Sequence, residues 1–158
     1  ASLVVNGQPL TRDTDPATTP IPAGPGGSGP ATKTFVDARI VLADDKNLPR
    51  FKGVGWYIGT GYPGFRGNMV LFGHVTGPYE TFARLHELEP GDDVVVEAME
   101  RTYTYRVSDS RVVPASAVEV MAPTTDSRAT LITCTGTFFP LTREYSHRLV
   151  VTALLVEP

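Results

Sequence analysis

An all-β fold is predicted by three observations. Short β-branched and aromatic runs recur along the chain, Gly/Pro signals separate them, and only one stretch has helical spacing. The predicted strands are 39–42, 54–58, 69–73, 94–98, 102–108, 111–113, 118–121, 129–134 and 148–156. In 102–108 the alternation is explicit, with Tyr103, Tyr105 and Val107 separated by polar residues. Pro-Gly and Gly-Pro pairs at 63–64, 77–78 and 90–91 punctuate the runs. The helical stretch is 79–88, where Phe82, Leu85 and Leu88 share a face and Pro90 ends the pattern. Many short strands with one or two short helices indicate a barrel or sandwich.

A length of 158 residues suits one domain with a core of its own. Residues 16–30 are dominated by Pro, Gly, Thr and Ser, which suits neither helix nor interior strand. The expected organisation is therefore an N-terminal arm or linker, 1–32, and a β domain, 33–158.

Composition excludes several classes of function. Net charge is −3 and no Lys/Arg run is present, which argues against a grip on nucleic acid. A single cysteine rules out an internal disulfide. His74, His86 and His147 lie far apart without HxxxH or CxxC partners, so no metal and no other cofactor is expected. The longest apolar run, 149–156, is short for a membrane span and rich in β-branched residues. The start at Ala1 reads as a trimmed or mature form, so it is weak evidence against an anchor.

Two motif matches fail on context. Residues 59–64 fit GxGxxG, but the next element is strand-like rather than a helix whose N-terminus would hold a pyrophosphate. Neither GxSxG nor HExxH occurs.

Three residues invite a chemical reading, and each has a plain structural one. Cys134 ends the run Thr130-Leu131-Ile132-Thr133-Cys134, yet a lone cysteine is commonly core. His74 closes Asn68-Met69-Val70-Leu71-Phe72-Gly73, where a preceding glycine lets backbone approach closely. Arg148 opens the last strand and is either a solvated strand-end charge or a placed cation. Arg143 competes for the cationic role, and His86 is expected at the surface. Strand parity puts Thr130, Ile132 and Cys134 on one face, which makes Ile132 a candidate groove wall. The segment 135–147, with Phe138-Phe139-Pro140, is expected to be a mobile loop long and aromatic enough to line a cleft.

Taken together, Gly67-Asn68-Met69-Val70-Leu71-Phe72-Gly73-His74, Thr130-Leu131-Ile132-Thr133-Cys134 and Arg148-Leu149-Val150-Val151-Thr152-Ala153 resemble the sortase family. The resemblance covers roughly residues 54–157 and includes the short helix and turn at 82–92. It implies a closed sortase-type β-barrel of about eight strands. It also implies a cysteine transpeptidase that cuts an LPxTG-like sorting signal between Thr and Gly, then passes the acyl group to an amine.

By the same resemblance, Cys134 is the nucleophile, His74 the proton carrier and Arg148 the ligand of substrate carbonyls. Thr133 resembles the family position that helps form the oxyanion pocket, and Ile132 and Phe138 would contact substrate. The implied partners are sorting-signal peptides and an amine acceptor, either a peptidoglycan precursor or a pilin lysine. A monomer is expected at the outer face of the bacterial membrane or cell wall, with a membrane tether in the full-length protein that is absent here. The subclass stays open among class D-like and class E- or F-like sortases. Asp15-Pro16 resembles a pilin-type lid motif, but Ala17 stands where an aromatic residue normally comes next. Rival readings are an enzyme of this fold acting mainly as hydrolase or pilin polymerase, and a noncatalytic surface β-domain with a structural cysteine.

Overall fold

The computed structural model describes residues 40–43, 53–77, 80–98 and 100–156. The arm at 1–32, with Asp15-Pro16, lies outside the described residues. Seven strands are present among those described: β1 Ile40–Ala43, β2 Val54–Tyr57, β3 Gly67–Phe72, β4 Asp93–Ala98, β5 Arg101–Pro114, β6 Ser127–Phe139 and β7 Glu144–Leu155. They form one curled sheet in the order β1-β2-β3-β6-β7-β5-β4. The expected all-β architecture is thus present, with seven strands against about eight expected. Among the described residues no ladder joins β4 back to β1.

Central strands are buried on both faces, which is why they read as nearly continuous apolar runs rather than alternating ones. In β3, Met69 and Leu71 enter the main core with Ala129 and Leu131 of β6 and Leu149, Val151 and Ala153 of β7. On the other face Val70, Ile132 and Val150 form a second cluster, flanked by Tyr57, Phe72, Val113, Val120 and Met121. Truncating a fully buried member such as Leu131 would cost about 2–5 kcal/mol.

The β3–β6 pair is parallel and runs from Gly67↔Ser127 to Phe72↔Ile132. The β6–β7 pair is antiparallel. A parallel pair needs a long crossover, and here it carries the chain through β4 and β5 before β6.

Several sequence expectations change in detail. The two strands predicted at 102–108 and 111–113 are one, β5, with a register shift between Val107 and Asp109. Ser108 interrupts the pairing while its hydroxyl donates to the Thr152 carbonyl at 3.1 Å. The strand predicted at 118–121 is instead a 3-10 helix, Val118–Met121. Its backbone has a competing partner: the Asn68 side-chain amide donates to the carbonyls of Val120 and Ala122 at 3.0 and 3.1 Å. Of the predicted helix at 79–88, the described residues 80–88 hold turns and a 3-10 helix, Leu85–Glu87, although Phe82, Leu85 and Leu88 are all buried as that spacing requires. His86 is exposed, as expected.

The GxGxxG match is a tight β2–β3 connection. Gly61 N–H donates to the Asn68 carbonyl at 2.7 Å, and the Thr60 hydroxyl donates to the Tyr57 carbonyl at 2.7 Å. A side chain at Gly61 would press on the Gly67–Asn68 backbone.

Candidate active site

The parallel register of β3 and β6 brings the first two candidates together. Phe72 is level with Ile132, so continuing the chain brings Gly73 and His74 level with Thr133 and Cys134. Two hydrogen bonds extend the contact past the end of β3. Gly73 N–H donates to the Ile132 carbonyl at 3.2 Å, and the Thr133 hydroxyl donates to the Gly73 carbonyl at 2.7 Å. Position 73 must be glycine because an added Cβ would run into the Phe82 ring. Phe82 N–H in turn donates to the His74 carbonyl at 2.9 Å. The histidine backbone is thereby fixed between β6 and the turn that caps the core.

Cys134 and Arg148 are directly opposed across the β6–β7 ladder, so both side chains leave the sheet on one face. Arg143, the alternative cation, lies in the turn beyond the Phe139↔Glu144 pair. That turn is five residues up β6 from Cys134, about 17 Å along an extended strand. Arg148 Nη1 donates to the carbonyls of Tyr145 and His147 at 3.0 and 2.9 Å, which holds the guanidinium along its own strand.

Cys134 is only partly buried, unlike a cysteine that merely fills core. Burial pushes its thiol above the ordinary range, and the nearby Arg148 charge opposes that shift without cancelling it. The resting sulfur is therefore mostly protonated at neutral pH. Among the described residues no cluster of His, Cys, Asp and Glu could hold a metal ion.

The three predicted substrate-contact residues differ in placement. Ile132 is buried in the second cluster, as a floor beneath the Cys134 face rather than an open wall. Thr133 is buried, and its hydroxyl is committed to Gly73. Phe138 is 45% exposed and packs against Tyr145, ring centroids 5.0 Å apart.

The loop expected over 135–147 is mostly strand. β6 continues to Phe139 and β7 begins at Glu144, leaving a short turn closed by Arg143 N–H to the Phe139 carbonyl at 2.8 Å. The register shifts between Thr135 and Phe138, where Gly136 has φ +83°. Only glycine adopts that conformation readily, and a Cβ there would collide with the Ser146 hydroxyl. Ser146 Oγ also accepts the Thr137 N–H at 2.9 Å and pairs with His147 Nδ1 at 2.7 Å. A bulge of this kind bends the strand, here just past the thiol. Its sequence signal was Cys134-Thr135-Gly136, a glycine inside a β run.

A family model for the sortase domain matches residues 30–156. The chain belongs to the sortase family. Among solved structures, it is similar to sortase C-1 from Actinomyces oris, with 31% identity, a TM-score of 0.63, and coverage of 78% of this chain and 69% of that one. Sortase A from Corynebacterium diphtheriae, a lid mutant, gives 28% identity and a TM-score of 0.64 over 77% of this sortase and 64% of that chain. The Clostridium perfringens sortase D5 transpeptidase shares the fold at 23% identity, a TM-score of 0.62, and coverage of 75% and 70%. This sortase thus spans less than two thirds of the length of some relatives, such as the Streptococcus agalactiae sortase C1, of which it covers 63%. No curated protein matches it. These relatives include sortases named A, C and D.

Proposed function

We propose that this sortase is a cysteine transpeptidase that cleaves an LPxTG-like signal between Thr and Gly and transfers the acyl group to an amine. The observation that carries the reading is the Cys134–Arg148 cross-strand pair, with the His74 segment hydrogen-bonded alongside Thr133. Cys134 Sγ attacks the Thr carbonyl and loses its proton to His74, and a C–S bond forms. The tetrahedral oxygen takes the negative charge, which Arg148 offsets. Collapse breaks the C–N bond as His74 returns the proton to the departing glycine amine. An incoming amine then attacks the thioester and gives a proton to His74, the C–S bond breaks, and His74 returns that proton to the Cys134 sulfur.

A half-buried thiol with one opposing cation gives few thiolates at rest, so deprotonation is expected to accompany attack rather than precede it. Arg148 cannot carry protons, since guanidinium does not deprotonate in proteins. Thr133 serves through position, with its hydroxyl holding Gly73; any part in the oxyanion pocket falls to its main chain. Ile132 would underlie the bound peptide and Phe138 would flank it. The domain acting in this way is 33–158, preceded by the 1–32 arm, at the outer face of the bacterial membrane or in the cell wall. Its acceptor would be a peptidoglycan precursor or a pilin lysine.

The test is intact-mass analysis after mixing the protein with LPxTG-type peptides. A covalent acyl adduct that is absent in Cys134→Ala is expected. No adduct with any of several such peptides would sink the reading.

A further inference from the structure

Asn68 and Thr130 belong to the two most recognisable motifs of the chain, yet neither takes part in the acyl transfer. Both are buried, at 3% and 2% exposure. The Thr130 hydroxyl donates to Asn68 Oδ1 at 2.6 Å, and Asn68 Nδ2 spends its two hydrogens on the carbonyls of Val120 and Ala122. These partners fix which way the amide points, because carbonyl oxygens accept only and so must face the nitrogen. Aspartate could not substitute, having no donor to offer.

The segment so gripped, 115–126, crosses the face of the sheet that bears Cys134 and Arg148. Backbone hydrogen bonds tie it to the sheet at its two ends, where Ala115 N–H donates to the Ser146 carbonyl and Gly67 N–H to the Asp126 carbonyl. Between those ends it folds on itself, through Ala117 N–H to Pro114, Val118 N–H to Ser116 and Ala122 N–H to Glu119. Asn68 supplies the grip in the middle. Val120 and Met121 then lie on Val70, Ile132 and Val150. Ile132 is two residues before Cys134 and Val150 two after Arg148, so the edge of the segment comes about 7 Å along the strands from the thiol. Val118 is left 67% exposed on it.

We propose that Asn68 is a positioning residue that holds segment 115–126 as one wall of the groove leading to Cys134, and that Thr130 anchors the oxygen end of its amide. The proposal rests on the acyl-transfer reading for what the groove binds, but the clamp itself does not. An apolar wall carrying Val118 suits the aliphatic side chain of an extended peptide donor.

The experiment uses Asn68→Ala, Thr130→Val and Thr130→Ser in the full chain. It measures KM and kcat for an LPxTG-type peptide, alkylation of Cys134 by iodoacetamide, and amide hydrogen exchange of 115–126. Asn68→Ala is expected to raise KM about five- to thirtyfold, leave alkylation within about twofold, and speed exchange in 115–126 without a general rise. Thr130→Val should match its effects in weaker form, and Thr130→Ser should match wild type. Should Asn68→Ala fail to fold, Thr130→Val carries the comparison. If wild type turns over no peptide, the acyl-transfer reading fails, while exchange confined to 115–126 still upholds the clamp. Unchanged exchange in 115–126, or an unchanged KM in an active enzyme, overturns the proposal.

Discussion

The Thr133 hydroxyl donates to the Gly73 carbonyl at 2.7 Å, which ties the residue before the thiol to the residue before the imidazole. The bond is buried, so the carbonyl has no water to turn to when it is lost. Thr133→Val is expected to cost about 1–3 kcal/mol of stability. It should also lower kcat for peptide turnover more than it raises KM, because the His74 segment loses its register with Cys134. Thr133→Ser keeps the donor and should retain most activity. Equal kcat in the Val and wild-type enzymes would separate this bond from catalysis.

Arg148 is the charge that opposes the burial of Cys134. Arg148→Ala is expected to move the pH midpoint of Cys134 alkylation upward and to lower kcat/KM by about 100- to 1,000-fold. Arg148→Lys keeps a charge but not the planar fork, so it should restore the midpoint better than the turnover. Arg143→Ala, out in the hairpin turn, should change neither. If Arg143→Ala abolished turnover and Arg148→Ala did not, the roles would be reversed.

The raised Cys134 pKa also has a stability signature. A group whose folded pKa lies above its unfolded value contributes stability that is full below the unfolded pKa, roughly 8.5 for a thiol. That contribution is lost as pH rises through the folded pKa. Urea midpoints taken between neutral and alkaline pH should fall more steeply for wild type than for Cys134→Ala. Tyr105, whose pKa burial also raises, is common to both and cancels. Parallel curves would show that the thiol is not held up by the fold.

Gly136 bends the β6–β7 hairpin just past Cys134. With φ at +83° and the Ser146 hydroxyl in the way of a Cβ, Gly136→Ala should cost about 1–3 kcal/mol. Thermal unfolding reads the cost, and Gly136→Ala/Ser146→Gly should recover only the steric part. A stable, fully active Gly136→Ala would mean that the bulge does not set the hairpin direction.

How much of this was legible beforehand depends on what each residue reports. Cys134, His74 and Arg148 stand out as candidates because each ends or opens an apolar run, where a polar side chain is conspicuous. Core positions such as Phe82, Leu85 and Leu88 announced themselves by spacing even though the helix expected from it shrank to a turn. Val118–Met121 misled because a short run of apolar and β-prone residues looks like a strand until a side chain 52 positions earlier claims one of its carbonyls. The extent of β6 and β7 was hidden by Gly136 and Pro140, which read as loop when they mark a bulge and a hairpin turn. Asn68 was invisible as an actor, since a polar residue inside an apolar run does not say what it will bond.

The place of β7 inside the sheet, between β6 and β5, makes this one strand the link between the two parts of the sheet. Without β7, β5 and β6 have no strand between them, and Cys134 has no cation opposite it. A chain whose β7 has not docked would therefore carry Cys134 without Arg148 opposite it. On the proposed acyl-transfer chemistry, transfer of a peptide's acyl group to Cys134 would then report that β7 is in place beside β6.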